Sequence, residues 1–154
     1  MNFSDLLKPE AIKVLTSVSS KKRLLQEIGE LSELAYGLEA GGVVEALVAR
    51  EALGPTGVGH GVALPHARVS GLSAVVGLFV VLEKPVDFAA VDRQPVDIAF
   101  ALFAPEDAGV EHLKALALVS RTLRDSAVCD KLRANRDAGK LFAILADAHS
   151  AQAA

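Results

Sequence analysis

The chain has 154 residues, 51% of them hydrophobic and 23% charged, with a formal net charge of −3. That length suits one domain with a core of its own, and the balance is globular rather than disordered. The small negative charge argues against a chain-wide attraction to nucleic acid or acidic lipid, leaving only a local basic patch to consider.

The opening MNFSDLLKPEAIKVL has no basic segment followed by a long apolar one, so it does not read as a secretory signal. One cysteine, Cys129, permits no disulfide within the chain. A soluble cytoplasmic protein is the expectation. AIKVL (11–15) reads as a first strand. Ser19 or Ser20 then caps a helix through KKRLLQEIGELSELAYG, with Leu24, Leu25, Ile28, Leu31, Leu34 and Ala35 assigned to one face. Gly37 and the pair Gly41–Gly42 interrupt it. Val43, Val44, Leu47 and Val48 begin a second helix, expected to run to about Leu53 and stop at Gly54.

GPTGVGHGVALPHAR (54–68) is rich in glycine and ends on a histidine behind a proline. Three strand-like runs follow from it: GVALP (61–65), AVVGLFVVL (74–82) and VDIAFALFA (96–104). The last two are almost continuously apolar, as in strands covered on both faces. The run Leu72–Leu82 is too short for a membrane helix, which takes about 20 residues. Three helical stripes complete the chain: Leu113, Leu116, Ala117 and Ser120, with Leu123 nearby; Val128, Cys129 and Leu132; and Leu141, Phe142, Ile144 and Leu145. Cys129 reads as a small buried hydrophobe. The expected fold is a single α/β domain over 1–154. It has a small mixed sheet of about four to five strands, helices on both faces (α/β/α), and the order β-α-α-β-β-β-α-α-α. Residues 3–147 should be ordered and 148–154 a fraying tail.

Gly54-Pro-Thr-Gly-Val-Gly59 has P-loop spacing, but His60 and Gly61 stand where Lys and Ser/Thr are needed, and a strand rather than a helix follows. Gly57, Gly59 and Gly61 do not complete a dinucleotide fingerprint, because position 62 is Val. His60 and His66 are not an i, i+4 pair, and no Cys-rich or carboxylate-rich motif joins them and His112, so no metal is expected. A histidine nucleophile remains. Pro65 biases Leu64 to extended geometry and would set His66 just past a strand end, while the glycines let a ligand or partner come close. An idle exposed histidine on a loop that needs positive φ fits the spacing equally well. Arg50 precedes the glycine loop and Arg68 follows His66 by two. His112 falls early in a helix for which Asp107 is a candidate cap, and a helix N-terminus disfavours a charged imidazole.

REALGPTGVGHGVALPHAR (50–68) resembles the active-site block of phosphotransferase-system enzyme IIA domains of the fructose/mannitol superfamily, with the nitrogen-regulatory branch nearest. LEKPVDFAAVDRQPVDIAFALFAP (82–105) resembles that family's central strand-turn-strand, and EHLKALALVSRTLRD (111–125) its next helix. The likeness runs from about residue 3 to 147.

The resemblance implies that His66 is the phosphoryl acceptor, with Arg50 and His112 as its catalytic companions and Thr56, Gly61 and Arg68 as phosphate contacts. It implies no role for His60 or for His149 in the tail, no metal and no cofactor. Ala67 departs from the family, where many relatives have Gly. The implied partners are an HPr-like phosphocarrier protein and regulatory target proteins, with no nucleic acid and no membrane insertion. A neutral imidazole, with an unperturbed pKa of about 6.5, could take the phosphoryl group from another histidine without a metal. Two alternatives share the site: a sugar-specific IIA component passing phosphate to a IIB domain, and a binding module that is never phosphorylated.

Overall fold

A computed structural model describes residues 1–153, with side chains described up to residue 148. The chain opens with a short helix α1 (Phe3–Leu6) and a 3-10 turn (Pro9–Ala11), neither expected from the sequence, and enters β1 (Ile12–Leu15). Helices α2 (Lys21–Tyr36) and α3 (Ala40–Glu51) follow. Next come β2 (Gly57–Gly59), β3 (Val62–Ala63), β4 (His66–Arg68), β5 (Val76–Val86) and β6 (Val96–Ala104). The last helices are α4 (Val110–Leu123), α5 (Ser126–Arg133) and α6 (Ala138–Ala153).

The sheet runs β1-β5-β6-β3-β2, with β4 also on β6. It is mixed: β5 and β6 are antiparallel, β1 is parallel to β5, and β3 and β4 are parallel to β6. Strands β3 and β4 form one lane. Ala63 pairs with Ala99 and His66 with Leu102, so the register is unchanged across the gap. Pro65 lacks an N–H and breaks the ladder, although its carbonyl still accepts from the Leu102 N–H at 2.9 Å. The expected strand 61–65 is thus shortened to Val62–Ala63, a further strand starts beyond the proline at His66, and six strands occupy five lanes.

Residues 78–82 of β5 and 98–104 of β6 are all buried. Side chains alternate across a sheet, so unbroken burial means cover on both faces. The α/β/α expectation holds. Ser20 caps α2 by accepting from the Arg23 N–H, and Gly37, at φ +69°, ends it. Leu34 lies off the apolar face, at 82% exposed. Six residues beyond Ile28, it sits about 240° round the helix.

Other local expectations shift. Gly41 and Gly42 lie inside the first turn of α3, and α3 ends at Glu51 rather than Leu53. Asp107 does not cap α4; Gly109 occupies the cap position and offers no side chain. Cys129 is buried, its thiol donating to the Leu123 carbonyl, and burial raises its pKa. Helix α6 is helical to Ala153, across most of the segment expected as a tail. The side chain of His149 lies outside the described residues.

Candidate functional site

His66 opens β4 immediately after the Pro65 break. Its Nδ1 lies 2.8 Å from the Leu64 carbonyl oxygen. A carbonyl has no proton to give, so Nδ1 carries the hydrogen and donates it. The Nε2 lone pair is left for other chemistry. The residue is half-buried.

Arg50 reaches the His66 ring from the last turn of α3. Its Nη1 donates to the Gly54 carbonyl at 3.0 Å, and its Nε points at His66 Nε2 across 3.4 Å. Such a contact is long for a hydrogen bond, and its chief effect is to hold a fixed cation beside the lone pair.

His112 comes from the first turn of α4. Its ring meets that of His66 edge to face, with centroids 5.7 Å apart and planes at 73°. It is only 8% exposed, and its Nε2 has no hydrogen-bond partner among the described residues. Burial holds its pKa below the ordinary histidine value, helped by the nearby charges of His66 and Arg68. An orphaned buried nitrogen is costly unless something completes it, and such atoms call for an explanation in function.

Arg68 is exposed, and its Nη1 donates to the Glu106 carbonyl at 3.0 Å and the Ala108 carbonyl at 2.5 Å. It ties the end of β4 to the loop that launches α4.

Thr56 and Gly61 are engaged in other contacts. Thr56 is buried, with its hydroxyl donating to Glu51 Oε1 and its N–H to Glu51 Oε2 at 3.2 Å. Both of its donors are thus engaged by Glu51. Gly61 sits at the other end of its lane. Its carbonyl accepts from the Asp97 and Ile98 N–H groups, whereas His66 pairs with Leu102. At strand spacing five positions separate them by about 16 Å. Gly61 instead has φ +79°, and a Cβ there would come within 2.7 Å of Arg133 Nη2. His60, also at positive φ, belongs to the same turn: it donates its N–H to Asp92 and its carbonyl accepts from Arg133.

The structure therefore brings together His66, Arg50 and His112, with the Arg68 charge near enough to act on His112. Sequence reasoning passed over Glu51. A carboxylate beside Arg50 at a helix end reads as a surface charge, yet this one is nearly buried and tied to Lys21 at 2.7 Å. The only hint was position: negative charge at a helix C-terminus opposes the macrodipole. No three His, Cys, Asp or Glu side chains among the described residues are grouped as metal ligands. No helix among them is long and apolar enough to cross a membrane.

A lone pair on a half-exposed imidazole, a fixed guanidinium at its edge and a second, uncharged imidazole suit attack on an electrophile bearing negative oxygens. The family described as phosphoenolpyruvate-dependent sugar phosphotransferase system, EIIA 2, matches residues 5–148. A nitrogen regulatory protein of Bradyrhizobium diazoefficiens is 47% identical over 146 residues, covering 95% of each chain. The crystal structure of nitrogen regulatory protein IIA-Ntr from Neisseria meningitidis superposes with a TM-score of 0.84 at 39% identity, over 92% of this chain and 97% of that one. Mannitol IIA from Escherichia coli gives a TM-score of 0.77 at 22% identity, over 91% and 99%, a likeness of fold.

Proposed function

Since the chain belongs to the EIIA 2 family of the phosphoenolpyruvate-dependent sugar phosphotransferase system, we propose that His66 takes a phosphoryl group on Nε2 from the phosphohistidine of an HPr-like carrier. The two forms of the protein then act as a nitrogen-type regulatory switch through contacts with target proteins. The observation that carries this reading is the Nδ1–H bond to the Leu64 carbonyl, which leaves the Nε2 lone pair beside Arg50.

In the step, the Nε2 lone pair forms the new P–N bond while the P–N bond to the carrier's imidazole breaks, its electron pair returning to the carrier's nitrogen. The His66 ring gains positive charge because Nδ1 keeps its proton. The Leu64 carbonyl is placed to stabilise that charge. Arg50, anchored on Gly54, turns its remaining N–H groups to the equatorial oxygens of the phosphorus. His112 stays uncharged and supplies a nitrogen that needs a partner. Arg68 contributes its charge at longer range, its Nη1 being occupied by carbonyls. The product gains up to roughly two negative charges at the surface, enough to remake a protein interface.

Incubation with a radiolabelled phosphorylated carrier should leave an acid-labile, base-stable label on the chain, lost in His66→Ala. Onward passage of the label to a IIB domain and sugar would instead indicate a transport component, and absence of label from the wild-type chain a binding module.

A further inference from the structure

Glu51 closes α3 next to Arg50, and its side chain is 7% exposed. Its two oxygens take three donors: Lys21 Nζ at 2.7 Å and the Thr56 N–H at 3.2 Å on Oε2, and the Thr56 hydroxyl on Oε1. The chain of contacts continues. The Thr56 carbonyl accepts the Leu64 N–H at 2.9 Å, and the Leu64 carbonyl accepts the His66 Nδ1–H at 2.8 Å. On the other side, the Gly54 N–H donates to the Glu51 carbonyl, and the Gly54 carbonyl holds Arg50 Nη1. The carboxylate thus ties Thr56, and through it the Leu64 carbonyl, to the end of α3, while the main-chain carbonyl of the same residue closes the turn that anchors Arg50.

We propose that Glu51 is a positioning residue for the transfer: through Thr56 and Leu64 its carboxylate holds the His66 tautomer and ring angle, at the end of the helix whose closing turn anchors Arg50. The inference rests on His66 being the phosphoryl acceptor. A carboxylate at a helix C-terminus runs against the helix dipole, and a buried one must be paired. Lys21 meets that need and is itself held 4.6 Å over the Phe88 ring. Breaking a local rule at the end of the helix that carries Arg50 is what a functional constraint looks like. The chemistry also demands an acid rather than an amide. The Lys21 ammonium and the Thr56 N–H can only donate, and the carboxylate supplies the negative charge that pairs the partly buried ammonium, whereas Gln keeps the shape without that charge.

The test compares wild type with Glu51→Gln, Thr56→Val and Thr56→Ser. Two quantities are measured: the imidazole 15N shifts of unphosphorylated His66, which report the Nδ1–H tautomer, and the phosphorylation rate across carrier concentrations. Glu51→Gln and Thr56→Val should both reduce the Nδ1–H population and lower the rate at saturating carrier by about tenfold or more, as for small misplacements of reacting groups. The half-saturating carrier concentration should stay near wild type. Thr56→Ser, which keeps the hydroxyl, should restore both readouts. Wild-type tautomer and rate in Glu51→Gln and Thr56→Val, or a Thr56→Ser no better than Thr56→Val, overturns the inference. If Glu51→Gln fails to fold, the nearly isosteric Thr56 pair decides. A wild-type chain that takes no label defeats the proposed function, while the tautomer shifts still decide the positioning.

Discussion

The Nε of Arg50 faces the Nε2 of His66 across 3.4 Å, on the side from which a phosphoryl group would have to arrive. In the proposed transfer the guanidinium would have to turn aside to bind the equatorial oxygens, with its anchor on Gly54 limiting how far it moves. Arg50→Gln should lower the phosphoryl-transfer rate by about a hundredfold to a thousandfold, the scale for losing one oxyanion donor. Arg50→Lys keeps the charge but not the fork that holds Gly54 and the phosphate together, so it should recover only part of the rate. Single-turnover labelling from a phosphorylated carrier measures both. A fully active Arg50→Lys would mean that charge alone suffices.

His112 carries a pH-dependent cost. Its folded pKa is depressed, chiefly by burial and then by the charges of His66 and Arg68, while an unfolded histidine titrates near about 6.5. Between the folded value and about 6.5 the unfolded chain binds more protons, so stability rises with pH in that window. Read downward, stability is lost as pH falls below about 6.5 and until the folded value is passed. His112→Gln should flatten this part of the profile, and urea midpoints at several pH values between neutral and acid would show it. Parallel profiles for the two proteins would mean that His112 charges as readily in the fold as outside it.

The parts of the fold legible in the sequence are those governed by apolar pattern and capping. The strand 96–104 appears with those bounds because its residues are apolar almost without a break, and Ser20 caps α2 as its chemistry allows. The glycine stretch was not legible in the same way. Glycine advertises freedom of φ without saying what uses it, and here Gly59, Gly61 and His60 spend positive φ on a tight turn far along the lane from His66. The triple-residue strand β4 is too short to show a period, and its register is set by β6. His66, Arg50 and His112 come together by tertiary packing of a strand with two helices, which no spacing encodes; the family resemblance identified them. Glu51 was missed because its burial depends on Lys21, thirty positions away.

Gly61→Ala separates a turn glycine from a phosphate cradle. At φ +79° an alanine is strained, and its Cβ would press on Arg133 Nη2 and on Asp97 Oδ1, 2.7 and 2.9 Å away. The backbone strain alone should cost about 1–2 kcal/mol, with disturbance of the Arg133–Asp97 ion pair added. The transfer rate of the folded protein should be unchanged, because His66 is about 16 Å distant along the strand. Chemical denaturation gives the first quantity and labelling under native conditions the second. A loss of rate without a loss of stability would return Gly61 to the phosphate site.

Arg68→Met tests whether the second arginine touches phosphate or only shapes the field. Its Nη1 is occupied by the Glu106 and Ala108 carbonyls, and its charge is among the causes that depress the His112 pKa, after burial and His66. Removing a positive charge makes the imidazolium easier to form, so the His112 pKa should rise toward the ordinary histidine value, which an NMR titration of the ring would follow. Because the side chain is exposed, water can replace it on the two carbonyls, and the stability change should stay within about 1 kcal/mol. The transfer rate should fall less than tenfold, well short of the loss in Arg50→Gln, because the direct cation at His66 remains. Equal losses in the two variants would show that Arg68 leaves its carbonyls for the phosphoryl oxygens during the reaction. In that event α4 would lose its tether to β4 at the moment of transfer, and the loop before His112 would move in step with the chemistry.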